Sequence, residues 1–286
     1  MMTALKLALA QPAAAAMSVS RRILGTHYGH YQAIILHDVP DDRIGQLTVF
    51  LDFVRAEYGF ITPQEAVVTP TRPAANPTHR MPCLVTIDDG FESSRWIGCE
   101  ILPRYGAKAI FFVCPGLIDS SDAARDDLIR RNVFGGHPPA NVPRLMTWND
   151  IADLQRAGHT IGAHGSMHER LSTLDPNALE TEIGDSKQRL EQHLGEAPLW
   201  YAYAFGDIGS LSQNAVKAIA RHFPYCRSGV RGTNQIGDNQ HILLAQEIDL
   251  NAPTRYHRAV LGGALDIRYM SARARLRNYT DTATRL

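Results

Sequence analysis

The chain has 286 residues, and 29 Lys and Arg balance 29 Asp and Glu, so its formal net charge at pH 7 is zero. Hydrophobic residues make up 44% and charged residues 20%, which excludes a disordered chain, because disorder requires low hydrophobicity with high net charge. The same balance argues against a protein held to nucleic acid through its phosphates, which demands a cationic surface, and makes a neutral substrate the expectation.

Residues 1–22 contain an apolar, alanine-rich run, but they lack a basic start and are interrupted by Lys6 and Gln11-Pro12. A surface helix fits them better than a signal peptide. No run of about eighteen apolar residues occurs anywhere, so a transmembrane helix is not expected. From residue 33 onward, strand-length apolar runs alternate with helical patterns, the mark of a mainly parallel α/β domain. Ala33–His37 reads as the first strand. Ile44, Leu47, Phe50, Leu51 and Val54 recur at helical spacing up to Gly59. A Pro-rich surface stretch covers 70–82. Cys83–Ile87 is the second strand, followed by a helix over 94–105 that stops at Gly106. Ala109–Cys114 is continuously apolar and is expected at the centre of the sheet.

Residues 119–144 are charged and rich in Pro and Gly, as lids and binding loops often are. Thr147 to Asp150 resembles a capping box opening a helix that ends at Gly158, and Thr160–Ala163 is a short strand. Asp175-Pro176 opens a helix striped by Leu179, Ile183, Leu190 and Leu194 and closed by Gly195. Leu199–Phe205 reads as a strand, Ser212–Arg221 as a helix and Ile242–Ile248 as the last strand. The four cysteines (Cys83, Cys99, Cys114 and Cys226) have no CxxC spacing and read as small buried hydrophobes.

Three polar clusters follow expected strands, where α/β barrels and open sheets place their sites. In Thr86-Ile87-Asp88-Asp89-Gly90, adjacent carboxylates repel each other unless a cation compensates, so one can bind a metal while the other acts as a base. In His164-Gly165-Ser166-Met167-His168, two histidines four apart can reach one ion and, with one carboxylate, make an open hydrolytic metal site. The third cluster, Tyr201 to Gly206, is a strand running into a glycine turn.

In this order and at these separations, the clusters resemble the polysaccharide deacetylases, the fourth family of carbohydrate esterases. Thr86 to Gly90 is similar to the T-F-D-D-G motif, His164 to His168 to H-S/T-x-x-H with Gly165 in second place, and Tyr201 to Gly206 to F-A-Y-P-F-G. The resemblance covers about residues 33–250 and implies a distorted (β/α) barrel of about seven strands. It divides the chain into an N-terminal segment (1–32), a catalytic domain (33–265) and a basic C-terminal tail (266–286). It also implies that Asp89, His164 and His168 bind a divalent metal, Zn2+ first and Co2+ or Ni2+ as alternatives. Asp88 would be the general base, and the backbone N–H of Phe205 would stabilise the oxyanion. Tyr203 and His137 are assigned to substrate binding.

The family's C-terminal L-x-H histidine has no match, and His241 precedes its strand. Ile35-Leu36-His37-Asp38 instead resembles the L-M-Y-H-D segment of the branch that includes poly-β-1,6-N-acetylglucosamine deacetylases, which makes His37 the general acid. Where many members carry an arginine that orients the base, this chain has Ala202, and the partner of Asp88 is left unassigned. The implied function is removal of N-acetyl groups from N-acetylhexosamine units of a neutral glycan, with no nucleic-acid partner. The alternatives are another C–N bond (a cyclic imide, a formamide, a small N-acetyl sugar), an O-acetyl ester, or a glycan-binding relic without turnover. A cytoplasmic or peripheral membrane location is expected, with a periplasmic or exported form as the alternative.

Overall fold

The structure, a computed structural model, describes residues 29–67, 81–236 and 242–283. The expected N-terminal helix, most of the Pro-rich stretch and His241 lie outside the described residues. The apolar runs form parallel staves: β1 (His30–Leu36), β2 (Cys83–Ile87), β3 (Ala109–Val113), β4 (Thr160–Ala163), β5 (Trp200–Ala202) and β6 (Tyr225–Arg227), side by side in that order. A short β7 (Asn234–Gln235) pairs antiparallel with β1. β3 is central, as its unbroken apolarity requires of a strand covered on both faces.

The expected last strand is two strands, β8 (Ile242–Leu243) and β9 (Ala245–Glu247). β8 pairs with β6 and β9 with β1, so together they nearly close the sheet into a barrel. The break at Leu244 has a local cause. The Asn234 side-chain amide donates to the Leu244 carbonyl and accepts from its N–H, both at 2.8 Å, so this residue's backbone bonds to a side chain instead of a stave.

Side-chain alternation then separates two cores. Ala33, Ile35, Leu84, Ile110, Phe112, Ala202 and Ala245 pack together inside the barrel. Ile34, Leu36, Val85, Ile87, Phe111 and Val113 point outward onto the helices, among them Ile44–Glu57, Trp148–Arg156 and Gln213–His222. Several helix ends match their sequence signals. Thr147 and Asp150 form the reciprocal capping box, Asp175 caps the helix at Pro176, and Gly106 and Gly195 close their helices in the left-handed region.

One expectation is corrected. The 119–144 segment is helical in its first half, with a helix Asp122–Leu128 running into a π turn Ile129–Val133. The basic tail from residue 266 is helical and rests against the rest of the chain. Its 3-10 turn (Asp266–Tyr269) and helix (Met270–Ala283) pack on the domain through buried Leu276. Gln246 donates to Asp266 at 3.1 Å, and Arg273 donates to the carbonyls of Arg231 and Asp266. The last helix thus lies against the helix Gln213–His222 and joins the outer core through Leu276.

Candidate active site

The C-terminal ends of the staves converge on a cavity of about 570 Å³ whose walls include His37, Asp88, Asp89, His164, His168 and Phe205. Asp88 and Asp89 leave β2, His164 leaves β4 and Phe205 follows β5, so parallel pairing delivers all the polar clusters to one end.

Asp89, His164 and His168 are all buried, and one ligand atom from each lies within 4.8 Å of the others. The Asp89 Oδ1 is 3.5 Å from His164 Nε2 and 3.4 Å from His168 Nε2. A tetrahedral ion with bonds of about 2.0–2.2 Å separates its ligands by roughly 3.3–3.6 Å, so this donor set fits a divalent cation. The far side of each imidazole is tied to a carbonyl: His164 Nδ1 donates to Ala202 O at 2.7 Å and His168 Nδ1 to Asn132 O at 3.0 Å. A carbonyl can only accept, so each Nδ1 carries a proton and each Nε2 faces Asp89, the outer-shell arrangement that orients metal-binding histidines.

Burial raises the pKa of Asp89, but hydrogen bonds from His164 and His168 and the charges of His168 and His37 outweigh it and hold the carboxyl well below its ordinary value. Burial lowers the pKa of His168, yet Asp89 overrides it and the net shift is upward. Asp89, His168 and Phe205 all lie in the left-handed backbone region, at φ of 71°, 60° and 66°. Each such residue costs about 1–2 kcal/mol and persists only where its surroundings over-determine it.

Asp88, 3.8 Å from His164 and outside the three-donor set, has a partner that the sequence motifs did not reveal. Arg227, at the end of β6 and 1% exposed, donates through Nη2 to both Asp88 oxygens. Ala202, at the position where an arginine is looked for, offers its backbone carbonyl to His164. No strand was assigned to 225–227, although the apolar run Phe223-Pro224-Tyr225-Cys226 just before Arg227 was the available signal.

This pair carries a stability prediction. Arg227→Met leaves a buried carboxylate uncompensated, at a cost of about 3–5 kcal/mol, while Arg227→Met combined with Asp88→Leu restores much of the loss. Chemical denaturation of the two single variants and the double variant measures the coupling. Additive losses would remove the pair from the account of stability.

Two other assignments do not reach the cavity. Tyr203 is fully buried, and its hydroxyl donates to Gly206 O at 2.7 Å, so it braces the turn that presents Phe205 rather than contacting a substrate. His137 is exposed outside the cavity wall, to which the same loop contributes Val133, Phe134, Pro139 and Pro143. The C-terminal helical segment adds Tyr269 and Ala272. Phe205, 41% exposed, lies edge-on to His168 and beneath the guanidinium of Arg170, so its ring and backbone are fixed together.

The polysaccharide deacetylase family profile matches residues 75–223, more than half of the chain. A gellan lyase from Bacillus sp. is 30% identical over 123 residues, which are 43% of this chain but only 4% of that protein. Among solved structures, IcaB from Ammonifex degensii superposes with a TM-score of 0.61 at 17% identity, covering 82% of this chain and 97% of that one. The Streptococcus pyogenes deacetylase PplD, in complex with acetate, gives 0.62 at 18% identity over 82% and 99%. A de-N-acetylase from Aggregatibacter actinomycetemcomitans gives 0.63 at 15% over 80% and 99%. These likenesses establish the fold as the distorted (β/α) barrel. With the profile match and the strand-end clusters in register on that barrel, the chain belongs to the polysaccharide deacetylase family.

Proposed function

We propose that this protein is a metal-dependent hydrolase that removes N-acetyl groups from N-acetylhexosamine units of a polysaccharide or glycan precursor. The observation that carries the reading is the convergence of the Asp89, His164 and His168 donor atoms within 4.8 Å, beside a carboxylate, Asp88, that is not one of them. A binding groove without turnover has no use for that arrangement.

A divalent ion held by Asp89, His164 and His168 supplies Lewis acidity toward the acetamide carbonyl and makes water nucleophilic near neutral pH. Asp88 takes the proton from the attacking water as its oxygen bonds to the carbonyl carbon. Arg227 holds both oxygens of that carboxylate, so the base is oriented before the substrate arrives. The N–H of Phe205 donates to the developing oxyanion. His37, exposed at the end of β1 on the cavity wall, gives a proton to the amide nitrogen; the C–N bond breaks, and acetate and a free amine leave.

The reading is tested by acetate release from N-acetylglucosamine oligomers and O-acetylated xylan and by ring opening of simple cyclic imides, with Asp88→Asn as the blank. Release from the N-acetylated oligomers alone, or well above the other two, is the expected result. Preference for the imide or the ester would move the function to that bond.

The role of His37 has a sharper test. An amine leaves only when protonated, whereas an aryl oxide leaves without help. His37→Ala is therefore expected to lose about 10²-fold on the N-acetylated glycan and little on an aryl acetate. Equal losses on both substrates, or none on either, would end its assignment as the acid.

A further inference from the structure

The loop that carries His168 is held from two sides by π turns. On one side is Asn132, of the turn Ile129–Val133, which accepts from His168 Nδ1 and donates through its side chain to Met167 O at 2.7 Å. On the other side, in the turn Thr181–Asp185, is Glu182, which is 3% exposed. Met167 N donates to its two carboxylate oxygens at 3.1 and 3.0 Å, Glu169 N donates to Oε1 at 3.0 Å, and Ser166 N donates to its backbone carbonyl at 2.9 Å. Three positions flanking His168, Ser166, Met167 and Glu169, are thus fastened to one residue.

We infer that Glu182 is a positioning residue of the metal centre, a buried carboxylate template whose hydrogen bonds to the 166–169 backbone set the separation between His164 and His168. Three observations support this. First, the loop is strained at the ligand itself, since His168 has φ +60°, and such a conformation relaxes unless neighbours hold it. Second, the carboxylate occupies the space of a side chain at Gly165, where a Cβ would lie 2.2 Å from Glu182 Oε1 and φ is +77°. The family motif has Ser or Thr at that place, and here the glycine makes room for the anchor.

Third, the partners that the Glu182 carboxylate meets are backbone N–H groups, and burying a carboxylate on neutral donors is expensive. Burial pushes its carboxyl up to about 7, against the pull of the Glu169 and Met167 N–H groups. Apolar packing would cover the turn at lower cost, so a carboxylate here is explained by the loop donors it satisfies.

This inference rests on the metal-centre reading above and is tested without substrate. Glu182→Gln keeps the shape but turns an NH2 toward the Met167 or Glu169 N–H. Glu182→Ala removes the anchor altogether, and if it does not fold, the Gln variant carries the test. The probes are Zn2+ and Co2+ alone, with affinity measured by competition with a chelator, the d–d absorption of the Co2+-loaded protein, and the melting temperature of the metal-free protein.

The expected result is a dissociation constant raised about 10- to 100-fold, the usual effect of losing an outer-shell partner, together with a changed Co2+ spectrum and recovery of turnover at saturating ion. A folded Glu182→Gln variant with wild-type affinity and spectrum overturns the inference. So does a variant in which only the melting temperature falls, because that is a purely structural role. A wild-type protein that binds neither ion overturns the metal-centre reading itself.

Discussion

Asp88→Asn is expected to bind its divalent ion at the wild-type stoichiometry while acetate release falls by about 10³-fold, within the range associated with loss of a general base. The geometry separates the two properties. Asp89, His164 and His168 form the three-donor set without Asp88, whose approach to His164 is longer than that of Asp89. An amide at position 88 still accepts from Arg227 through its oxygen but cannot take a proton from water. Metal analysis of the dialysed protein, run beside an acetate assay, checks both halves. Turnover within tenfold of wild type would remove Asp88 from the base role, and loss of the ion would make it a ligand.

Removal of the Asp89 carboxylate has the larger consequence. Asp89→Ala is expected to carry little or no ion after dialysis, where wild type retains about one per chain, and to show no acetate release. Two imidazoles remain, and no other described carboxylate, cysteine or histidine completes the set. Because position 89 lies at φ 71°, alanine adds backbone strain to the lost charge. Asp89→Asn tolerates that conformation better and isolates the electrostatic part. Unchanged metal content in both variants would end the ligand assignment.

The sign of the pH effect on the metal-free protein follows from the same residue. A carboxylate held below its ordinary pKa stabilises the fold above the ordinary value of 3.8, and that contribution disappears as the pH falls through the folded value. Asp89→Asn should therefore lower the melting temperature near neutral pH and narrow the gap to wild type in strong acid. A gap that does not change with pH would contradict this.

The motif residues could be read before any coordinates because their chemistry and their position coincide. Asp88, Asp89, His164 and Phe205 each sit just past an apolar strand, and parallel strands deliver such positions to one face. Tyr203 and His137 lie off the cavity wall because neither a motif's residue order, for Tyr203, nor a loop's composition, for His137, specifies which way a side chain turns. The hydroxyl of Tyr203 closes its own turn, and His137 is exposed between two stretches of its loop, at Phe134 and Pro139, that do line the cavity. Arg227 escaped notice because its stave has only three residues and carries an arginine where alternation calls for an apolar side chain. The guanidinium is tolerated inside the barrel because it faces Asp88 and lies over the ring of Phe112.

The local pattern of apolar runs, caps and strand-end polar clusters determined a mainly parallel α/β domain and set out Asp88, Asp89, His164 and His168 as candidates for a metal site and a base. Those features depend on residues near one another in the chain. Only the tertiary structure decided that β8 and β9 divide one run between two neighbours, that the C-terminal helix reaches the cavity wall, that Arg227 faces Asp88 and that Glu182 accepts from the loop around Met167. Arg227 is 139 positions from Asp88 and Glu182 is 15 from Met167. No local propensity encodes such pairings; they follow from how the staves close and how the helices cover them.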